Sequence, residues 1–171
     1  MKPEAITPAK HIAIQQVGID SLFKEMAEWS NRIAKRAYEF FANSGFTHGH
    51  DLDDWFKAEE ELLKPVALET KDSKDEFVVT AEVPGFDAKD LQVHVNGSRL
   101  VIEGQHEIAE EKREKEGKAI YSERKSQQIY RSIELPAPVL AEHAQAELKN
   151  GILELKLPKA AKPKQIKVAA A

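Results

Sequence analysis

The sequence predicts a mainly-β protein, an antiparallel β-sandwich preceded by an α-helical hairpin. Three observations lead there. Six strand-like runs fall between residues 64 and 158, separated by Pro-Gly, Asn-Gly and proline-rich turns. No helical period lies between them, which argues against a parallel βαβ sheet. Before residue 64 the pattern changes: apolar residues recur at three- and four-residue spacing, the mark of one helix face.

In the first region, Leu22, Phe23, Met26, Trp29, Ile33, Ala37, Phe40 and Phe41 form one apolar stripe on a helix of about six turns. Asp20 suits its N-cap, and Asn43-Ser44-Gly45 ends it in residues that accept the left-handed conformation. A second helix spans Asp54 to Leu63, with Asp51 or Asp53 as cap and Pro65 as boundary. The short connection predicts antiparallel packing of the two. Strands follow at Val66–Glu69, Phe77–Val83, Leu91–Val95, Leu100–Glu103, Ile129–Leu135 and Ile152–Leu157. Asn150-Gly151 is a hairpin turn, since both residues tolerate positive φ. Beyond it Leu153, Leu155 and Leu157 alternate with Glu154 and Lys156, a strand with one apolar face that Pro158 stops. About seven or eight short antiparallel strands account for the region. The almost wholly charged run Glu107–Lys118 reads as a solvated loop leading to Ala119–Arg124. Residues 159–171 form a flexible Lys/Ala/Pro tail. The chain thus divides at 1–63 (hairpin at about 20–63), 64–158 and 159–171.

Composition narrows the function. The 171 residues are 32% charged with a net charge of only −4, which makes no electrostatic case for nucleic acid or an acidic membrane surface. There is no cysteine, so disulfides, thiolate metal sites and cysteine nucleophiles are excluded. No stretch approaches the roughly 20 apolar residues of a membrane span, and no signal peptide opens the chain. A soluble cytoplasmic protein is the default. No Gly-x-Ser-x-Gly, P-loop or Gly-x-Gly-x-x-Gly occurs, and the many carboxylates lie in surface charge runs, so neither an enzyme nor a cofactor is expected. Residues 1–63 hold eight of the twelve aromatics, and their seven basic against eleven acidic residues carry the whole net charge.

Four segments in order resemble one family. Val83-Pro84-Gly85-Phe86, the pair Leu91–Val95 and Leu100–Gly104, Tyr130–Pro136 and Ala146-x-x-x-Asn150-Gly151-Ile152-Leu153 are similar to the α-crystallin domain of small heat-shock proteins, an immunoglobulin-like sandwich. The resemblance implies an ATP-independent holdase that binds partly unfolded clients and forms homodimers that assemble into larger homo-oligomers. It implies a dimer-swap strand at Ile120, Tyr121, Glu123 and Arg124, although Ile120-Tyr121 stand where a Trp-His pair is common. It further implies an oligomer anchor at Ile166 and Val168, docking in a groove walled by Leu91, Val93, Val95, Leu153, Leu155 and Leu157. Physical reasoning supports such assembly. A sheet edge must be paired or guarded, and a short strand on a charged arm can add to it. Burying one Ile and one Val is worth roughly 3–5 kcal/mol, against about 1–2 kcal/mol for each tail residue ordered. A single docking is therefore weak and exchangeable, and only many linked ones hold an oligomer.

The pieces Arg32–Phe40 and Asp51–Glu59 resemble a helical-hairpin domain of unknown function. Phe23, Trp29, Phe40, Phe41, Phe46, Trp55 and Phe56 are candidates for client binding, although some must form the hairpin's own core. So small a unit cannot bury all its aromatics fully. His48, His50 and Asp51 have the donor types of a metal site, but the plainer reading is a solvated turn before an Asp-capped helix. His94 reads as a surface histidine. An alternative to the holdase is a co-chaperone-like adaptor for a folded partner, with the hairpin as targeting module.

Overall fold

The computed structural model describes residues 8–113 and 119–161, and their side chains except within 109–125. In chain order the elements are β1 (Lys10–Ile12), β2 (Ile14–Gln16), α1 (Ile19–Asn43), α2 (Asp51–Leu62), β3 (Leu68–Asp72), β4 (Glu76–Glu82), β5 (Leu91–Asn96), β6 (Arg99–Arg113), β7 (Ala119–Glu134), β8 (Gln145–Lys149) and β9 (Ile152–Pro158). One sheet has the order β1-β8-β9-β4-β3 and the other β2-β5-β6-β7. All pairings are antiparallel except that of β2 with β5.

Alternation builds the core. Phe77, Val79 and Ala81 of β4 stand opposite Leu157, Leu155 and Leu153 of β9, and all six are fully buried. From the other sheet Leu91, Val93, Val95, Leu100, Ile102 and Ile129 meet them. Each such side chain contributes roughly 1.5–3 kcal/mol. Gly104 faces inward between Leu91 and Ile129, where a Cβ would come within 2.8 Å of Ile129 and 2.9 Å of Leu91.

The helices differ from the sequence reading at their starts. The N-cap of α1 is Gly18, not Asp20, which lies in the first turn, where its negative charge is favourable beside the positive end of the helix dipole. The start of α2 is at Asp51, three residues early, with Asp51, Asp53 and Asp54 in its first turn and His50 as N-cap. The predicted end at Asn43-Ser44-Gly45 holds: the Phe46 amide donates to Phe41 O at 3.1 Å, and Gly45 has φ +79°. The two helices run antiparallel. Arg36 Nε and Nη2 each donate to the Glu61 carboxylate at 2.9 Å, and Lys57 lies over the Phe40 ring.

The expected loop at Glu107–Lys118 is a strand as far as Arg113, with Glu107 to Arg113 paired to β7. The backbone ladder with β7 carries it as a strand, and a charged composition does not by itself oppose strand pairing. The first strand is also displaced, from Val66–Glu69 to Leu68–Asp72. The segments β1 and β2 were not expected; they are too short for alternation to stand out.

The hairpin between β8 and β9 turns on Asn150 (φ +51°) and Gly151 (φ +74°). A Cβ on Gly151 would lie 3.2 Å from Pro84 Cα, and Gly151 O accepts from the Val83 amide at 2.8 Å. Gly151→Val should therefore lower stability by on the order of 1–3 kcal/mol from backbone strain alone, with more from displacing Pro84. Asn150→Gly should stay within about 1 kcal/mol of the parent. Urea titration followed by far-ultraviolet circular dichroism measures both, and equal midpoints for Gly151→Val and the parent would show that the turn tolerates a side chain.

Candidate functional site

Two places outside the core gather the candidate residues: one side of the sandwich, where strand edges meet, and the outer face of β5-β6-β7 under the helices.

At the side of the sandwich, β8 and β5 are each the last strand of their sheet apart from one short addition. Strand β1 lies antiparallel on β8, with Ile12 opposite Ala146, and β2 lies parallel on β5, with Ile14 opposite Val93. The chain crosses between the sheets at Ala13. Ile12 and Ile14 pack against the core, while Lys10 pairs with Asp87 at 2.9 Å and holds that carboxyl below its usual range. Both edges are closed by the chain itself.

Leu91, Val93, Val95, Leu153, Leu155 and Leu157 point into the sandwich interior, none more than 4% exposed. The three leucines sit on β9, hydrogen-bonded on both sides by β4 and β8. They line the core rather than an open groove, and the strand edge facing that of β5 belongs to β8. Ile166 and Val168 lie outside the described residues. The backbone of Tyr121, Glu123 and Arg124 stands opposite Lys112, Glu110 and Ala109 of β6 in the same chain, and Ile120 falls at an irregularity in that ladder.

On the outer face, α1 covers the sheet. Leu22 and Ile33 are buried there, as is Val101 of β6. The Trp29 ring packs on Tyr130 at 5.9 Å, and Arg32 Nη2 donates to Gln128 at 3.1 Å. Trp29, Phe40, Phe41 and Trp55 are half-buried, whereas Phe23, Phe46 and Phe56 are 58%, 57% and 56% exposed. Around Phe41 gather Tyr38, Phe46 and His48, with centroids 6.1, 5.4 and 5.3 Å away. An open apolar recess lined by Ala34, Ala37 and Trp55 adjoins them. His50 faces Asp53 at 3.6 Å on the surface. His48, which packs on Phe41, does not converge with His50 and Asp51 into a three-donor group among the described residues.

His94 is not a surface residue. It is 6% exposed because α1 lies over it. Its Nδ1 stands 3.7 Å from Glu25 of α1 and 3.8 Å from Glu103 of β6. Among the described residues, that Nδ1, Glu25 Oε2, Glu103 Oε1 and the Tyr130 hydroxyl are buried without a hydrogen-bond partner. Burial, then the neighbouring Glu25 carboxylate, raises the Glu103 carboxyl to about 7. Burial, with the charges of Glu103 and Glu25 behind it, pushes Tyr130 up to about 12 against the pull of Arg99.

Residues 69–170 match the Hsp20/alpha crystallin family. The chain belongs to that family. Residues 28–64 match a protein of unknown function, DUF2934. Spore protein SP21 of Stigmatella aurantiaca is 37% identical over 105 residues, covering 60% of this chain and 61% of its own length. Heat shock protein HSP.16.4 of Streptococcus thermophilus is 30% identical over 131 residues, covering 75% of this chain and 89% of its own. Among solved structures, heat shock protein 16.0 of Schizosaccharomyces pombe aligns over 63% of this chain and 98% of that one, at 32% identity and a TM-score of 0.46. The chain spans about three fifths of the spore protein's length. Membership in this stress-response family is consistent with a chaperone role. No helix among the described residues is long and apolar enough to cross a membrane.

In this small heat-shock protein the sequence missed the Glu25–His94–Glu103 cluster. Alternation puts His94 on the outward face of β5, and Glu25 lies between Leu22 and Met26 at the border of the apolar stripe of α1. That border position was the one available signal. The raised Glu103 also fixes the sign of a pH effect. The folded chain keeps a proton that the unfolded chain releases, so stability should fall as pH rises from the ordinary carboxylate value to about 7 and then level off. Glu103→Gln, neutral throughout, should flatten that slope. Urea midpoints between about pH 5 and 8 in chelator-containing buffer test this, and parallel slopes for the two proteins would contradict it.

Proposed function

We propose that this chain is an ATP-independent holdase that captures partly unfolded proteins and keeps them from aggregating. The observation that carries the reading is the exposed aromatic surface of the helical hairpin, Phe23, Phe46 and Phe56 together with the cluster around Phe41. Exposed apolar surface of this kind marks an interaction site. Clients with transiently exposed apolar segments are its natural occupants.

Assembly follows from the edges. Ile12-Ala13-Ile14 holds the edges of β8 and β5 with the same apolar-x-apolar spacing as Ile166-Lys167-Val168. The tail of a neighbouring subunit competes with this segment for the two edges, and its docking assembles dimers into larger oligomers. The dimer forms when Ala119–Arg124 leaves its own β6 and adds to the free outer edge of a partner's β3, which no described strand pairs.

At an equimolar ratio and without ATP, the protein should suppress light scattering from a heat-denatured model client. A Phe23→Ser/Phe46→Ser/Phe56→Ser variant should lose more than half of that protection at unchanged oligomer size. Full protection by this variant would place client binding elsewhere, and no protection by the parent would refute the holdase. In size-exclusion chromatography with light scattering, Ile166→Ala/Val168→Ala should shrink the oligomer, whereas Ile12→Ser/Ile14→Ser should enlarge it by freeing the edges. Shrinkage in the second variant would mean that Ile12 and Ile14 support assembly rather than compete with it.

A further inference from the structure

We propose that Glu25, His94 and Glu103 bind one zinc ion that clamps helix α1 onto the outer face of the β5-β6-β7 sheet. The three donors come from three elements, α1, β5 and β6, and meet only because the helix is docked. His94 is more than nine-tenths buried with its Nδ1 aimed between the two carboxylates, at 3.7 and 3.8 Å, and without a hydrogen-bond partner among the described residues. One oxygen of each carboxylate is orphaned in the same way. Buried polar atoms left unmatched are costly, and a single cation placed among them satisfies all three at once.

Charge and geometry select the ion. Two carboxylates and a neutral imidazole carry two negative charges, which a divalent cation neutralises. Zinc takes nitrogen and oxygen donors at about 2.0–2.2 Å in a tetrahedron, which puts neighbouring donors about 3.4 Å apart. The two distances from His94 Nδ1, 3.7 and 3.8 Å, exceed that by a few tenths of an ångström, and all three donor atoms lie within 4.8 Å of one another, within reach of side-chain shifts. Calcium and magnesium prefer oxygen ligands in greater number and make little use of imidazole. The orphaned Tyr130 hydroxyl stands opposite Glu103 on the β6–β7 ladder, suited to hydrogen-bond a water in the fourth position. A cleft lined by Trp29, Arg32, Gln92 and Glu103 opens beside the cluster and gives the ion a way in.

The three donors belong neither to the exposed aromatic surface nor to the strand edges, so zinc binding is read out separately from the holdase assay. Untagged full-length protein, stripped with a chelator and moved to metal-free buffer near neutral pH, is titrated with zinc sulfate by calorimetry. One ion should bind per chain with a micromolar or tighter dissociation constant. Glu25→Gln and His94→Ala should each weaken binding at least tenfold, while His48→Ala/His50→Ala should leave it unchanged. Because Glu25 lies on α1, outside the sandwich core, Glu25→Gln keeps the sandwich intact, and circular dichroism verifies this. Amide hydrogen exchange over residues 19–43 should slow on adding zinc to the parent and stay unchanged in Glu25→Gln. Absence of stoichiometric binding, binding that survives Glu25→Gln, or binding that follows His48 and His50 would each overturn the proposal.

Discussion

The register of the two inner faces is the constraint from which the rest follows. Side chains on a strand alternate faces, so a shift of one residue would turn every core side chain outward. With Leu91, Val93 and Val95 buried against the leucines of β9, the even positions of β5 must face away from the core. Gln92 and His94 are therefore committed to the outer face, and the ladder adds Val101, Glu103 and Tyr130 beside them. An outer face carrying a fully buried valine, an imidazole and a carboxylate is not a solvent face. It needs a cover, and the apolar stripe of α1 supplies one through Leu22, Trp29 and Ile33. The cover brings Glu25 with it, and the polar cluster is the consequence.

The same packing sets where the sandwich is open. Within each sheet the inner strands have their backbone groups matched by neighbours, but the edges of β8 and β5 would present unpaired amides and carbonyls on one side of the molecule. Lys10–Gln16 closes both with a single crossing at Ala13, and Asn96 Nδ2 secures its end by donating to Val17 O at 2.7 Å. Such closure is weak. Two half-buried isoleucines offset the ordering of about seven residues at 1–2 kcal/mol each only with the help of the backbone pairing. In the proposed scheme a segment held so lightly would guard the edge in the isolated chain and give way to a competitor presented many times over in an assembly.

Much of this was legible in the sequence because local signals and tertiary structure agree. Asn150-Gly151, the alternation of Leu153, Leu155 and Leu157, and the Asn43-Ser44-Gly45 stop are short-range features, and each marks the element it predicts. The misses have one cause in common. His94 reads as exposed because it alternates with Val93 and Val95 and shares the polar positions of the strand with Gln92, and only the docking of α1 buries it. Strands β1 and β2 are three residues each, and nothing local distinguishes them; their pairing partners are more than seventy residues away. The ribbon at Glu107–Arg113 reads as loop because charge usually signals solvation, yet its backbone pairs with β7, a partner that the local sequence does not show. Assigning a groove wall to β9 errs similarly: alternation identifies an apolar face but not whether that face meets a core or an open edge.

The polar cluster and the strand edges are not independent. Only Val17 and Gly18 separate the end of β2 from the start of α1. Two residues span at most about 7 Å, too little for the helix to move far from the sheet while β2 stays on β5. Whatever loosens Glu25 from His94 and Glu103 therefore pulls on Ile14, and whatever displaces Ile12 and Ile14 from the edges frees the first turn of α1. In the proposed scheme the hairpin that presents the aromatic surface and the segment that guards the assembly edge form one mechanical unit. A bound cation at the cluster would then bias the chain toward closed edges, and its loss toward assembly, with no contact between the ion and the edge itself. The coupling is bounded by the short linker rather than by any chain of side chains, so lengthening Val17-Gly18 with flexible residues would uncouple the two without altering either site.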